Sequence, residues 1–131
     1  MQDHDNQLTV IFVYGTLKRH DCRHYLLKDS IYLGEAVTEP HYRLYNLGSY
    51  PGLIEVAKGF GISIEGELYA VTPECLFRLD EEEGVAEQLY ERKEISLLSP
   101  HREVDSESYF HLGDVSEAND IGESWNVANS R

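Results

Sequence analysis

The chain has 131 residues, of which 41% are hydrophobic, and this is enough for one domain with a hydrophobic core. Its 24 acidic and 11 basic residues give a net charge of −13, which repels phosphate backbones and anionic lipid headgroups. Neither nucleic acid nor an acidic membrane surface is therefore an expected partner. The first six residues lack the basic and apolar parts of an export signal, and no apolar run is long enough to span a membrane. We therefore expect a cytoplasmic protein.

Residues 10–18 (VIFVYGTLK) predict a short buried strand that ends in a glycine turn. Gly15 has no Cβ, so the backbone can approach a ligand closely at this position. The N–H groups of such a turn can bind an anion or a carbonyl oxygen. The turn is therefore a candidate ligand-holding loop, and an ordinary strand and turn without a ligand is the alternative.

Alternating apolar residues and turn signals predict a mostly β chain. Strands are expected over residues 8–13, 31–38, 42–47, 53–56, 62–71, 89–98 and 108–112, with a turn at 48–52 and a short helix at 22–29. The alternation over 62–71 predicts a strand that is buried on one face, and Gly66 predicts a bulge or a close backbone approach within it.

One further helix is expected over residues 73–83. Thr72 can cap it, Pro73 suits its first position and Gly84 suits its C-terminal end. Cys75 lies among apolar residues of this helix and is expected to be a core thiol, and both it and Cys22 are expected to be reduced. Strands with one helix between them predict an α+β domain with a mixed, strongly curved sheet.

Residues 114–131 are polar and rich in Asn, Ser, Asp and Glu. Only Ile121, Trp125 and Val127 could anchor this stretch. We therefore divide the chain into a domain over residues 1–113 and an acidic polar tail over 114–131, and expect the tail to be extended or partly disordered and dispensable for folding.

Residues 80–83 place four carboxylates at the negative end of the helix dipole. Helical spacing puts Glu83 on the face of the apolar residues Leu76 and Leu79, whereas Glu81 points away from it and Glu82 lies at its edge. Acidic neighbours and partial burial would raise the pKa of Glu83, as a general base near neutral pH requires. A solvated acidic helix end is the alternative interpretation.

Other signals are weaker. His20 and His24 have metal-ligand spacing, but no third ligand is placed by the sequence, so no metal site is predicted. Arg92 lies on a predicted strand, and a structural ion pair is its expected role. A P-loop, a dinucleotide fingerprint and a serine-centred elbow are missing from the sequence.

Taken together, the motifs resemble the γ-glutamylcyclotransferase-like superfamily, which includes the γ-glutamylamine cyclotransferases and the plant avirulence-induced-gene-2-like proteins. The resemblance covers about residues 10–95, and its specific part is a Tyr-Gly-Thr-Leu loop followed by Asp-x-x-Glu-Gly. The matching stretches are 13–18 (VYGTLK), 42–45 (YRLY), 47–52 (LGSYPG), 66–71 (GELYAV), 79–84 (LDEEEG) and 90–92 (YER).

The resemblance implies a compact mixed β-barrel flanked by short helices, with one cavity. It assigns substrate binding to the loop residues Tyr14, Gly15, Thr16 and Leu17 and to Tyr50 of a second motif, and the catalytic base to Glu83. The family motif often has a bulky apolar residue before this glutamate, whereas this chain has Glu81 and Glu82. Glu82 is therefore the alternative base.

The implied reaction is intramolecular: the α-amine of a γ-glutamyl amide attacks its own γ-carbonyl, which gives 5-oxoproline and a free amine. Positioning of this small-molecule substrate is the main requirement, and the scheme needs no cofactor and no metal. Two alternatives stay open, a non-catalytic small-molecule-binding or regulatory domain that uses the same cavity, and an acidic interaction module. The sequence names neither the released amine nor an oligomeric state.

Overall fold

A computed structural model describes residues 7–116 and 118–125 of the chain. The elements within these residues are eight strands, one α-helix and a 3₁₀ turn, and their order follows the prediction closely. They are β1 (Thr9–Val13), a 3₁₀ helix (His24–Leu27), β2 (Ile31–Val37), β3 (Tyr42–Asn46), β4 (Pro51–Glu55), β5 (Glu65–Val71), α1 (Pro73–Glu82), β6 (Tyr90–Glu94), β7 (Glu107–His111) and β8 (Asn119–Asp120).

Five strands form a mixed sheet in the order β2-β5-β1-β7-β6. The central strand β1 pairs antiparallel with β5 and parallel with β7. The chain segments that follow the two edge strands meet at one end, where the Leu98 N–H donates to Val37 O at 2.8 Å and the Glu39 N–H to Ser96 O at 2.9 Å. The predicted α+β fold with a mixed, curved sheet is confirmed, and this sheet curls toward a barrel through contact of its edges at one end.

A second sheet has three strands in the order β4-β3-β8, and β4 packs beside β7 of the first sheet. The central strand β1 is buried on both faces because its residues alternate between two cores. Phe12, and Tyr14 directly after the strand, pack in the core that the two sheets share, whereas Ile11 and Val13 pack in the core beneath α1. The loop that follows β1 therefore starts from the buried end of the central strand.

Helix α1 begins as its sequence predicts. The Thr72 hydroxyl oxygen accepts a hydrogen bond from the Cys75 N–H at 3.1 Å, and Pro73 takes the first helical position. Gly84 follows the helix with φ +69°, a left-handed conformation that glycine adopts without strain. Cys75 is a buried free thiol, as expected, and Cys22 is an exposed free thiol.

Several predicted details differ from the structure. The strand predicted over 62–71 is shorter and is buried on both faces, because α1 covers the face that was expected to be exposed. Gly66 does mark a close approach, since a Cβ there would lie 2.5 Å from the Phe12 ring and from Val13 O. The register shift lies elsewhere, between Tyr32 and Gly34 of β2, which pair with Tyr69 and Leu68. The turn predicted over 48–52 ends earlier, because Pro51 and Gly52 already belong to β4.

The segment after residue 113 departs most from expectation. Strand β8 pairs with β3, and Trp125 is fully buried in the core between the sheets. The Trp125 indole N–H donates to Asp21 Oδ2 at 3.1 Å, and its carbonyl accepts from the Lys18 ammonium. The domain boundary predicted at residue 113 therefore runs through a packed region. Deletion of residues 114–131 is no longer expected to leave the stability unchanged. Val127, the third expected anchor, lies outside the described residues. Among the described helices, none is long and apolar enough to cross a membrane.

Candidate active site

One small cleft brings together the loop after β1 and the C-terminal end of α1. The cleft itself is small, and the empty space of about 300 Å³ around it includes open solvent. Five of the six residues predicted for the site line it, namely Tyr14, Gly15, Thr16, Leu17 and Glu83. The other lining residues are Phe12, Val13, Arg23, Pro51 and Tyr109. Tyr50 is not among them and is 43% exposed, although its neighbour Pro51 is.

The loop over residues 14–18 is fixed by its own backbone. The Lys18 N–H donates to Gly15 O at 2.9 Å, and the Arg23 N–H donates to Thr16 O at 2.8 Å. Within the described parts of the chain, the N–H groups of Gly15, Thr16 and Leu17 donate no hydrogen bond to another residue. Such groups can bind a carbonyl or an anionic oxygen in the cleft.

The structure shows a reason for glycine at position 15 that the sequence did not reveal. A Cβ at this position would lie 2.5 Å from the Pro51 Cγ and 2.8 Å from its Cδ, so any side chain would displace β4. Pro51 is itself held by the Tyr90 hydroxyl, which donates to Pro51 O at 2.8 Å. The close approach predicted for Gly15 is therefore an approach to the opposite wall of the cleft, and its role toward a ligand stays a prediction.

Tyr14 forms a buried wall of the cleft. Its hydroxyl donates to Tyr109 O at 2.6 Å, and its ring stacks on Phe12 with the ring centroids 6.5 Å apart. Burial raises the pKa of Tyr14 well above its ordinary value, and the charge of the nearby Glu83 adds to this effect. Tyr14 therefore stays neutral and serves as a fixed surface.

Glu83 caps the C-terminus of α1, and its N–H donates to Leu79 O at 2.9 Å. Only 7% of the residue is exposed, and its Oε2 lies 3.2 Å from the Arg23 Nη2. Burial raises the pKa of Glu83 above its ordinary value, Arg23 opposes this effect, and Glu82 adds to it more weakly. The expected direction is confirmed, but burial contributes more than the acidic neighbours.

The adjacent carboxylates differ from Glu83. Glu82 points outward with 39% of its side chain exposed, and its Oε2 accepts from the Arg23 Nη1 at 3.1 Å. Glu81 is exposed, as helical spacing predicted. Neither residue lines the cleft. Of the three glutamates, Glu83 alone is both buried and in contact with the loop's cleft.

Asp80 holds the end of α1 against the sheet. Its two oxygens accept from the Arg92 Nε and Nη2 at 2.9 and 3.0 Å, and Oδ1 also accepts from the Tyr109 hydroxyl at 2.6 Å. The Arg92 Nη1 donates to Glu107 at 2.5 Å. The expected structural ion pair of Arg92 is confirmed, and it connects the helix to β6 and β7.

The sequence comparison agrees with this geometry. The profile of the family described as "Gamma-glutamyl cyclotransferase, AIG2-like" matches residues 11–127. The chain belongs to this family. Three curated relatives carry the name "Putative gamma-glutamylcyclotransferase".

The relative from Vibrio cholerae is 44% identical over 71 residues, which are 54% of this chain and 58% of the relative. The relative from Arabidopsis thaliana is 40% identical over 99 residues, or 70% of this chain and 52% of the relative. This family member thus spans little more than half the length of these two proteins. The relative from Methanocaldococcus jannaschii is 35% identical over 104 residues, which cover 77% of this chain and 82% of the relative.

Solved structures support the same fold. The crystal structure of an AIG2-like protein from Mus musculus superimposes with a TM-score of 0.77 at 27% identity. The match covers 92% of this chain and 90% of the mouse chain. A structure titled "Gamma-glutamyl cyclotransferase" has a TM-score of 0.65 at 14% identity over 87% of this chain, which supports the fold alone.

Sequence reasoning missed three residues of this family member's cleft, namely Arg23, Pro51 and Tyr109. Arg23 was assigned only to a short helix, and nothing in its neighbourhood signals a contact with a helix end 60 residues later. Pro51 was interpreted as part of a turn. Tyr109 belongs to a short strand whose pairing with β1 is parallel and long-range, which residue patterns alone do not predict.

Proposed function

We propose that this protein is a cyclotransferase that acts on a γ-glutamyl amide or amine and releases 5-oxoproline and a free amine. One observation supports this proposal above the others. The Glu83 carboxylate, which is nearly fully buried, lines the same cleft as the loop residues Tyr14 to Leu17. A buried carboxylate next to free backbone donors is the pair of groups that the reaction needs.

The proposed reaction moves two protons from the α-nitrogen to the leaving nitrogen. Glu83 takes the first proton from the substrate α-ammonium, and the resulting amine forms a bond to its own γ-carbonyl carbon. The bond between that carbon and the leaving nitrogen then breaks as Glu83 returns this proton to the leaving nitrogen, and the ring nitrogen loses its second proton to the released amine, which gives neutral lactam and an ammonium product. The substrate supplies both reacting groups, so the protein's main task is to hold it folded with these groups in contact.

The loop would stabilise the developing negative charge. The N–H groups of Gly15, Thr16 and Leu17 donate to no other described residue, so they are available to the γ-carbonyl oxygen or the α-carboxylate. Tyr14 and Pro51 would form the walls that hold the glutamyl carbons. Because the cleft is small and partly open to solvent, the proposal places only the glutamyl part of a substrate in it and directs the amine part outward.

A screen of γ-glutamyl compounds tests the proposal. The set would include γ-glutamyl amino acids, γ-glutamyl-ε-lysine and γ-glutamyl polyamines, and 5-oxoproline release would be measured by chromatography. We expect release from at least one compound by the wild type and by Glu81→Gln, and almost none by Glu83→Gln. Binding of such compounds without release would contradict the proposal and favour a non-catalytic binding domain. Loss of activity in Glu82→Gln but not in Glu83→Gln would move the base by one residue.

A further inference from the structure

We infer that Arg23 is a positioning residue of this site, which ties the loop at Thr16 to the end of α1 and holds Glu83 in its ionised, proton-accepting form. The effect on turnover rests on the proposed function, whereas the effect on the charge of Glu83 does not. The two can therefore be tested separately.

The three nitrogens of the Arg23 guanidinium have three different partners. Nε donates to the Thr16 Oγ1 at 2.7 Å, Nη1 donates to the Glu82 Oε2 at 3.1 Å, and Nη2 lies 3.2 Å from the Glu83 Oε2. The side chain is 24% exposed. A planar fork with fixed donor directions can join three acceptors in this way, which a flexible ammonium cannot do.

Arg23 is anchored to the loop that follows β1 rather than to α1. Its backbone N–H and its side chain both bond to Thr16, so its guanidinium stays in place relative to the loop. The contacts with Glu82 and Glu83 then fix the distance between the loop and the helix end. The proposed base and the proposed oxyanion donors lie on these two elements, and Arg23 is the side chain that connects them.

Arg23 also balances the charge around Glu83. Tyr14 of the loop, Tyr90 of β6 and Tyr109 of β7 face Glu83 and are neutral, because burial raises the pKa of each. Among the described residues, the charged groups that act on Glu83 are the cation Arg23 and the anion Glu82. Arg23 is therefore the group that favours the carboxylate form of a residue whose burial favours the protonated form.

Glu82 explains how Arg23 is held. The stretch before Glu83 departs from the resembled motif, with Glu81 and Glu82 where the motif often has a bulky apolar residue. In the structure the Glu82 carboxylate accepts a hydrogen bond from the Arg23 Nη1, and the Arg23 Nη2 contacts Glu83. Glu82 thus orients Arg23 but also repels charge on Glu83, so the removal of Glu82 and the removal of Arg23 should have opposite effects on Glu83.

Direct titration of Glu83 tests the inference without any substrate. The carboxyl ¹³C signal of Glu83, identified by its loss in Glu83→Gln, would be followed against pH in the full-length protein. We expect the Glu83 titration to move to higher pH in Arg23→Gln and to lower pH in Glu82→Gln. An unchanged titration in Arg23→Gln, or shifts of both variants in the same direction, would overturn the inference.

The pH profile of kcat/KM provides the second measurement. In Arg23→Gln we expect the acid limb to move to higher pH, so that activity on the acid side falls by about tenfold more than activity on the alkaline side. Arg23→Lys restores the positive charge but not the planar group with fixed donor directions. We expect its acid limb to return to the wild-type position, whereas its KM should be higher than that of the wild type. An equal loss at every pH would indicate a purely structural residue and would overturn the inference.

If Arg23→Gln does not fold, Thr16→Val serves in its place, because it removes only the hydroxyl that accepts from the Arg23 Nε. The Glu83 titration should then move in the same direction by a smaller amount, and no movement would contradict the inference. A wild type that is inactive on every γ-glutamyl compound would contradict the proposed function alone. The titration would still decide the role of Arg23.

Discussion

Asp80 and Glu83 lie three residues apart on α1, and each is paired with an arginine, yet their surroundings differ. Both oxygens of Asp80 accept hydrogen bonds, two from Arg92 and one from the Tyr109 hydroxyl. Glu83 is more deeply buried, but its Oε2 has only the Arg23 contact and no described residue donates to its Oε1. A carboxylate whose oxygens all accept hydrogen bonds connects elements of secondary structure. A buried carboxylate with an oxygen that accepts no hydrogen bond can still take up a proton.

The largest expected effect is on activity, which should depend far more on Glu83 than on Asp80. Glu83→Gln keeps the size of the side chain but cannot accept a proton, and loss of a positioned base typically costs about 10²–10⁴ in rate. We expect 5-oxoproline release to fall by this factor, while the thermal midpoint is unchanged or rises. Normal turnover in a folded Glu83→Gln protein would remove the distinction between the two carboxylates.

The next largest expected effect is on stability, which should depend more on Asp80 than on Glu83. Asp80→Asn leaves Arg92 with Glu107 as its remaining carboxylate partner and weakens the bond from Tyr109. We expect a loss of about 1–3 kcal/mol in the free energy of unfolding, measured by urea denaturation. KM and kcat should change far less than in Glu83→Gln, and a comparable loss of kcat with full stability would show that Asp80 takes part in the chemistry.

A smaller effect concerns pH. The pKa of Glu83 is raised in the folded protein above its ordinary value near 4.5, so the folded state binds this proton more tightly than the unfolded chain. The stability that Glu83 contributes is therefore present below the ordinary value and is lost as pH rises through the raised one. The thermal midpoint of Glu83→Gln minus that of the wild type should increase across this window. A difference that is constant with pH would show that burial does not perturb Glu83.

The smallest effect is the matched control. Glu81 is exposed on the opposite side of the helix end, and Glu81→Gln changes the net charge as much as Glu83→Gln does. We expect its rate to stay near that of the wild type and its stability to change by less than about 0.5 kcal/mol. A rate loss like that of Glu83→Gln would mean that the overall acidity of the helix end, rather than one residue, determines activity.

The sequence predicted the features that depend on local rules. The start of α1 at Thr72 and Pro73, its end near Gly84 and the inward direction of Glu83 follow from capping chemistry and helical spacing. The tight fit of Gly66 against β1 also followed from its place in a strand. These features need only residues within a few positions of one another, or one familiar backbone preference.

Features that depend on distant contacts were not predicted. Nothing near Arg23 indicates that it meets Glu83, and the role of Gly15 depends on Pro51 of another sheet. Trp125 was named only as a possible anchor of a dispensable tail, because a polar segment with few apolar residues usually lacks a core contact, whereas here one large side chain fills the space between two sheets. Such contacts depend on topology, which the residue pattern leaves open.

The burial of Trp125 has a consequence for how this protein is made. Trp125 bonds to Lys18 and Asp21, which precede it by 107 and 104 residues and adjoin the loop of the cleft. At about 5–20 residues per second, a ribosome needs roughly 5–20 seconds to synthesise the intervening chain. During this time the apolar strand β1 has been made but the loop beside it lacks its last partner. We therefore expect the cleft to be completed only after residue 125 has been made, and a chain stalled before that point to expose β1 to chaperones.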